Sequence, residues 1–231
     1  MDKSAPDRGA KSNHMRVGLY GGSFNPIHLG HLRAAEEVRE ALKLDLVYFI
    51  PAASPPHKQS SELAPSEHRL AMVRAATKGN RHFMTSDVEI RRAGRSFTID
   101  TVRHFLATLK QPAPLYLMMG ADQFAELDSW KEPEELTRLC NFVVHTRLTE
   151  GEEGPARISV AALKRFGYTQ TDDHYVHSSG QTLSFVDTTF LPISATEIRG
   201  KLQHGESIRY LVPFDVVDYI QRHSLYEGRS A

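Results

Sequence analysis

The sequence predicts an α/β protein with a doubly wound, mostly parallel sheet and a helical C-terminal part. Three observations lead to this fold class. Strand-like and helix-like patterns alternate along most of the chain, as in βαβ units. The strand-like segments are short, nearly continuous apolar runs, which a parallel sheet covered on both faces requires. The first strand-to-helix junction carries two glycines, where such sheets bind phosphate.

The elements follow from the spacing of apolar residues. Strands are predicted at 16–20, 44–50, 83–90, 115–119, 141–145 and 183–186. Helices are predicted at 29–43, 63–76, 97–109, 122–139 with a break at Pro133, 158–166, 194–204 and 213–222. Since ligands lie beyond the carboxyl ends of the strands in sheets of this kind, the functional residues should meet at that edge.

The length of 231 residues suits one domain, which we expect to span 15–226. Residues 1–14 are expected to form a disordered N-terminal extension and 227–231 a frayed tail. Between 148 and 182, charged and glycine-rich stretches surround one short predicted helix. That segment carries no chemical motif and is expected to vary within a family.

Composition excludes several functions. Basic and acidic side chains number 28 each, so the sequence shows no electrostatic footprint for duplex nucleic acid or an anionic membrane. The single cysteine, Cys140, excludes an intrachain disulfide, fits a reducing cytoplasm, and is expected to be buried beside the apolar run 142–144. There is no apolar run near the ~20 residues of a membrane span. We therefore expect a soluble cytoplasmic protein that binds neither nucleic acid nor membranes. The sequence leaves the formation of homo-oligomers open.

The most informative stretch is Gly21-Gly22-Ser23-Phe24-Asn25-Pro26-Ile27-His28-Leu29-Gly30-His31. Glycines permit close backbone approach by a ligand, and the N–H groups at a helix start favour phosphate. His28 and His31 stand three residues apart, so both rings can face one ligand and donate to phosphate oxygens. They could instead bind a metal, but no glutamate lies between them and the spacing indicates no third ligand.

This stretch resembles the GGxFxPxHxGH signature of the nucleotidyltransferase superfamily, in which the HxGH element handles the α-phosphate of a nucleoside triphosphate. Together with segments between Pro55 and Ile220, the chain more narrowly resembles the bacterial nicotinate mononucleotide adenylyltransferases. The resemblance implies the Rossmann-like nucleotidyltransferase fold and adenylyl transfer from ATP to nicotinate mononucleotide in NAD biosynthesis, with release of pyrophosphate. It also implies Mg²⁺ bound mainly through the ATP phosphates.

Two further segments are expected near the phosphates. Pro55-Pro56-His57-Lys58 follows the second strand and reads alone as an exposed polar loop, but it resembles the PPH(K/R) element of the family. Ile193-Ser194-Ala195-Thr196-Glu197-Ile198-Arg199 opens a late helix, where Ser194 and Glu197 fit a capping box. It resembles the ISxTxIR signature used for the departing pyrophosphate. Ala195 replaces a serine that is frequent in relatives.

The acceptor and ribose residues come from two more motifs. Asp122, after Gly120, could accept hydrogen bonds from ribose hydroxyls or simply be a helix N-cap. Trp130 could be a core residue, whereas in the GADxF…W pattern that it resembles the indole stacks on the pyridine ring. Ser96-Phe97-Thr98-Ile99-Asp100-Thr101 resembles the S-(Y/F)-T-x-D-T element, in which N–H groups near Thr98 and Ile99 receive the nicotinate carboxylate; a plain cap is the competing account of Thr98.

The resemblance thus implies three groups of site residues, without a protein metal site. The catalytic group is His28, His31, Lys58 and Arg199. The ATP-binding group is Gly21, Gly22, Ser23, Phe24, His28, His31, Gly120, Asp122, Ile193, Ser194, Thr196 and Arg199. The group for nicotinate mononucleotide is Ser23, Asn25, His57, Lys58, Thr98, Ile99 and Trp130.

Three alternatives to this predicted function remain. A pantetheine-phosphate adenylyltransferase or a cytidylyltransferase shares HxGH but lacks the elements at 96–101 and Trp130. Nicotinamide mononucleotide is a competing acceptor, since recognition by neutral N–H groups favours the acid without excluding the amide. A non-catalytic nucleotide sensor is disfavoured by the presence of His28, His31, Lys58 and Arg199.

Overall fold

A computed structural model describes residues 14–54, 63–92, 94–147, 160–172 and 174–227. The described strands form one eight-stranded sheet in the order β3-β2-β1-β4-β5-β8-β7-β6. The first six of these are parallel, and β7 and β6 extend the sheet as an antiparallel hairpin. The strand bounds are β1 Val17–Gly22, β2 Leu46–Pro51, β3 Phe83–Thr85, β4 Leu115–Gly120, β5 Asn141–Arg147, β6 Tyr168–Gln170, β7 Tyr175–His177 and β8 Thr182–Thr188.

Helices cover both faces of the sheet, which confirms the doubly wound architecture. The bounds in the described ranges are α1 Leu29–Ala41, α2 Ser66–Thr77, α3 Val88–Arg92, α4 Thr98–Thr108, α5 Ala121–Ala125, α6 Pro133–Leu139, α7 Val160–Arg165, α8 Ala195–Gln203 and α9 Phe214–Arg222, with a 3₁₀ turn at Leu127–Ser129. Apolar residues of α1, α2, α8 and α9 join one core cluster, and those of α4 to α7 join another.

The strands explain why two cores form. Along β4, Leu117 and Met119 belong to one cluster and Met118 to the other, because successive side chains point to opposite faces. Both faces of the central strands are therefore apolar, as the nearly continuous hydrophobic runs predict. Cys140 is fully buried, as expected, and burial raises the pKa of its thiol.

Three predictions about elements were wrong or incomplete. The strand predicted at 83–90 ends at Thr85, because Ser86 Oγ accepts the Val88 N–H and the Asp87 carbonyl accepts the Arg91 N–H, which starts α3. The region 122–139 forms α5, the 3₁₀ turn and α6 instead of one broken helix. The hairpin of β6 and β7 was missed, since three-residue strands are too short to show a period.

Some sequence-based expectations concern residues outside the described ranges. These include the extension expected at 1–14, of which only His14 is described, and most of the tail after 226. Within the described ranges, none of the helices combines the length and the apolar character needed to cross a membrane.

Candidate active site

The two histidines of the HxGH stretch lie together at the carboxyl edge of the sheet. β1 ends at Gly22 and α1 begins at Leu29, with His28 as its N-cap in an extended conformation. The ring centroids of His28 and His31 lie 3.7 Å apart, in agreement with their spacing of three. The backbone N–H of His28 donates to Nδ1 of His31 at 3.3 Å, so a neutral His31 ring carries its proton on Nε2.

Aromatic rings surround the His31 imidazole and restrict its orientation. The ring centroid of His31 lies 5.2 Å from that of Phe24 and 6.3 Å from that of Tyr20, both in edge-to-face geometry. The Tyr20 hydroxyl lies 3.3 Å from Nε2 of His145, which is 5 % exposed at the end of β5. Sequence reasoning missed His145, because only the order of strands in the sheet, with β4 between β1 and β5, brings its ring to Tyr20.

The start of α1 differs in one respect from the expected phosphate site. The Leu29 N–H donates to the Leu211 carbonyl at 2.9 Å, so this backbone group is already used within the protein. The imidazoles of His28 and His31 add side-chain donors at this turn.

The late helix α8 packs against the same turn. A Cβ placed on Gly30 would lie 3.1 Å from Nδ1 of His28 and 3.9 Å from the Ile193 carbonyl oxygen. A glycine here therefore leaves room for the His28 imidazole, while the Ile193 carbonyl lies at ordinary van der Waals distance from this turn. The structure thus brings together two motifs that are more than 160 residues apart in the chain.

Ser194 and Arg199 have defined partners in this packing. Ser194 Oγ accepts from the Glu197 N–H at 3.1 Å, which confirms Ser194 as the N-cap of α8. Arg199 donates from Nη1 to the Asn25 carbonyl at 2.9 Å and from Nη2 to Thr196 Oγ1 at 3.4 Å. The guanidinium is therefore held beside the loop 23–28 between β1 and α1, which we call the HxGH loop.

Asn25 connects several segments of the protein. Its side chain is 3 % exposed, and its Oδ1 accepts from the Ala64 N–H at 3.0 Å and from the Tyr226 hydroxyl at 2.8 Å. These bonds give Asn25 a structural role in addition to the ligand contact that the resemblance implies.

A buried arginine that sequence reasoning missed supports the loops after β1 and β2. Arg69 is 1 % exposed and donates to the carbonyls of Ala64 at 2.9 Å, Ser23 at 2.8 Å and Ala53 at 3.1 Å. Burial lowers the pKa of its guanidinium. Its only sequence signal is an arginine within the apolar period of a helix.

A cavity of about 520 Å³ opens beside the glycine turn. Its walls include Gly22 and Ser23 from the first βα turn, Ser96 and Thr98 from the start of α4, and Trp130 after the 3₁₀ turn. Ser96 Oγ accepts the Ala53 N–H at 2.9 Å and so ties this wall to the loop after β2. The structure therefore places the two expected acceptor motifs, at 96–101 and at Trp130, around one cavity.

Charged groups also line this cavity. Glu89 is 7 % exposed and its Oε1 accepts from Thr101 Oγ1 at 2.7 Å, while Lys131 donates to both carboxylate oxygens of Asp100 at 3.1 Å. Ile99 is fully buried in the core.

The segment after β4 contains Gly120 and Asp122, two residues of the predicted ATP-binding group. Gly120, not Asp122, is the N-cap of α5, so the alternative N-cap role of Asp122 was wrong. Asp122 is exposed in the first turn, and a Cβ on Gly120 would lie 2.6 Å from its Oδ1.

The other predicted phosphate residues, His57 and Lys58 with Pro55 and Pro56, lie outside the described residues.

The fold and the arrangement of these motifs define a nucleotidyltransferase-like α/β protein. A family model described as Cytidylyltransferase-like matches residues 19–201. Among solved structures, a Plasmodium falciparum nicotinic acid mononucleotide adenylyltransferase complexed with NaAD is similar with a TM-score of 0.70 at 20 % identity, covering 92 % of this chain and 98 % of that one. At this identity the similarity shows a common fold, which confirms the predicted fold class.

Curated relatives define the family more closely. A probable nicotinate-nucleotide adenylyltransferase of Syntrophotalea carbinolica is 42 % identical over 219 residues, covering 93 % of this chain and 99 % of the relative. One from Geobacter sulfurreducens is 42 % identical over 216 residues, covering 92 % and 98 %. The chain belongs to the nicotinate-nucleotide adenylyltransferase family, as its sequence motifs predict.

Proposed function

We propose that this protein transfers the adenylyl group of ATP to nicotinate mononucleotide, which yields nicotinate adenine dinucleotide and pyrophosphate in NAD biosynthesis. The observation that carries the proposal is the pair of imidazoles of His28 and His31, 3.7 Å apart at the edge of the sheet, after a turn whose Gly22 and Ser23 line the same cavity as Trp130. The names of the relatives support the same activity and the same acceptor.

The reaction is a direct in-line displacement. The phosphate of the mononucleotide attacks the α-phosphorus of ATP, the new P–O bond forms, and the bond to the β-phosphate breaks to release pyrophosphate. A phosphate monoester has a second pKa near 6, so the attacking oxygen is already anionic at neutral pH. The reaction therefore needs neither a general base nor a covalent enzyme intermediate, and catalysis depends on positioning and charge stabilisation.

His28 and His31 are assigned to the α-phosphate. His31 accepts the His28 N–H through Nδ1, which favours a proton on Nε2 that can be donated to a phosphate oxygen. The packing of Phe24 and Tyr20 against the His31 ring supports this assignment, because a fixed donor needs little reorganisation as charge develops.

Arg199 is assigned to the departing pyrophosphate, together with Ser194, Thr196 and the backbone at Ile193. The contact between Arg199 and the Asn25 carbonyl supports a position of the guanidinium beside the HxGH loop. His57 and Lys58 are assigned to screening the repulsion between the two phosphorylated substrates. Magnesium enters with ATP as part of the substrate, since Mg²⁺ is commonly bound through substrate phosphates.

The cavity is assigned to nicotinate mononucleotide, with Trp130 stacking on the pyridine ring. The N–H groups of Thr98 and Ile99 at the start of α4 are assigned to the nicotinate carboxylate, because a helix N-terminus favours an anion. Asp122 and Gly120 are assigned to the ATP ribose. The substrates and the lone buried thiol of Cys140 support action in the cytoplasm.

A pyrophosphate-release assay tests the proposal directly. The purified protein is given Mg-ATP with nicotinate mononucleotide, nicotinamide mononucleotide, pantetheine phosphate or no acceptor, and a parallel series replaces ATP by CTP. We expect the highest kcat/KM with ATP and nicotinate mononucleotide. Faster turnover with another pair would assign the protein to that reaction, and ATP binding without turnover in any arm would favour a nucleotide sensor.

A further inference from the structure

The turn that follows α9 places the end of the described chain against the HxGH loop. The helix ends at Arg222, and the Leu225 N–H then donates to the Ile220 carbonyl at 3.1 Å, with the Leu225 side chain buried. Ser224 and Tyr226 have φ values of +46° and +66°. A left-handed conformation is unfavourable for a residue with a side chain, so tertiary contacts must hold this turn.

Tyr226 connects the turn to the loop after β1. Its hydroxyl donates to Asn25 Oδ1 at 2.8 Å, and the same oxygen accepts the Ala64 N–H at 3.0 Å. The carbonyl of Asn25 accepts from Arg199 Nη1 at 2.9 Å. One buried asparagine thus connects the C-terminal turn, the loop before α2, the HxGH loop and the guanidinium of α8.

The electrostatic surroundings keep Tyr226 in its donor form. Burial raises the pKa of the phenol, and this effect outweighs the opposing influence of the nearby guanidinium groups of Arg199 and Arg69. The hydroxyl is therefore protonated at neutral pH and can donate to the Asn25 amide oxygen.

We propose that Tyr226 is a positioning residue for the phosphate chemistry, which acts through Asn25 on the loop 23–26 and on Arg199. This inference rests on the proposed function, because it takes Arg199 to meet the triphosphate. With the hydroxyl removed, Asn25 Oδ1 loses its bond to Tyr226 and keeps its bond to the Ala64 N–H, and the Asn25 carbonyl becomes a less fixed support for the guanidinium. The loss should appear in kcat and in triphosphate affinity.

Tyr226→Phe tests the proposal, with Tyr219→Phe as the matched control. Both variants remove a hydroxyl from the C-terminal segment, but the Tyr219 hydroxyl lies 3.0 Å from Nδ1 of His68 on α2, which is not assigned to the site. Loss of one hydrogen bond corresponds to roughly 3- to 10-fold. We expect Tyr226→Phe to lower kcat and weaken binding of α,β-methylene-ATP by about that factor, while Tyr219→Phe leaves both within about twofold at a similar change in Tm.

A double variant tests whether Tyr226 acts through Asn25. If it does, Asn25→Ala with Tyr226→Phe loses no more kcat than Asn25→Ala alone. Independent losses that multiply, or a Tyr226→Phe variant that matches the wild type in both kcat and analogue binding, would overturn the inference. Should the wild type release no pyrophosphate, the proposed function fails, and the comparison of analogue affinities still decides on Tyr226.

Discussion

Replacement of Arg69 by methionine tests whether this buried guanidinium holds the loops that form the site. Methionine has a similar length and no hydrogen-bond donor. It therefore keeps part of the packing on α2 but leaves three backbone carbonyls without the hydrogen bonds that Arg69 donates. Those carbonyls belong to Ser23, Ala53 and Ala64, which lie on the loops after β1 and β2.

The magnitude follows from the three bonds and the burial of the charge. A hydrogen bond to a charged group contributes about 1.5–3 kcal/mol, hence about 4.5–9 kcal/mol for three. Burial of a charged group costs several kcal/mol, which methionine does not incur. The net loss of unfolding free energy should be about 3 kcal/mol, and for a chain of 231 residues the corresponding fall in Tm is roughly 6–12 °C.

Urea titration and thermal unfolding followed by circular dichroism measure this effect, and pyrophosphate release measures its consequence for the site. Arg74→Met is the control on the same helix, because the Arg74 side chain is 60 % exposed and its Nη2 lies 3.7 Å from Asp87 Oδ2. An exposed ion pair of this kind contributes at most about 1 kcal/mol. If the two variants unfold within about 1 kcal/mol of each other, the assigned role of Arg69 is refuted.

Three further predictions concern catalysis, acceptor binding and pH. His31→Ala should lower kcat at least ~100-fold with a smaller effect on KM, since it removes a donor that acts on the transition state; normal turnover would contradict that role. Trp130→Ala should raise the KM for nicotinate mononucleotide about 10-fold and leave the KM for ATP nearly unchanged, and equal shifts in both would argue against stacking. Burial raises the pKa of Glu37, but its bonds to Thr189 and Arg33 outweigh this and lower the pKa below the ordinary 4.5. The stabilisation is therefore present above pH 4.5 and lost as pH falls through the lower folded value, so Glu37→Gln should be less stable than wild type at pH 7 and approach it in acid urea titrations.

Local patterns explain which elements could be predicted from the sequence. The apolar runs of β2 and β4 and the amphipathic spacing of α1 and α4 lie within single segments, so period and composition are sufficient to locate them. The strand predicted at 83–90 was too long because Val88 and Ile90 alternate with polar residues, whereas hydrogen bonds accepted by Ser86 Oγ and by the Asp87 carbonyl start a helix. Short elements depend on such individual contacts, which no period reveals.

The candidate site divides in the same way. His28, His31 and Arg199 could be found because they belong to contiguous motifs, whereas His145, Arg69 and Tyr226 stand in no motif. Their importance follows from contacts to Tyr20, to three loop carbonyls and to Asn25, across separations of 5 to 201 residues.

The sequence by itself determined the alternation of strands and helices, the family and the residue types offered to the phosphates. Tertiary structure alone decided that Gly30 lies against Ile193, that Arg199 rests on the Asn25 carbonyl, and that the last described turn supports that loop. The physical reason is that periodicity and capping act within a few residues of chain, whereas a hydrogen bond between distant segments exists only after the sheet and its helices have packed.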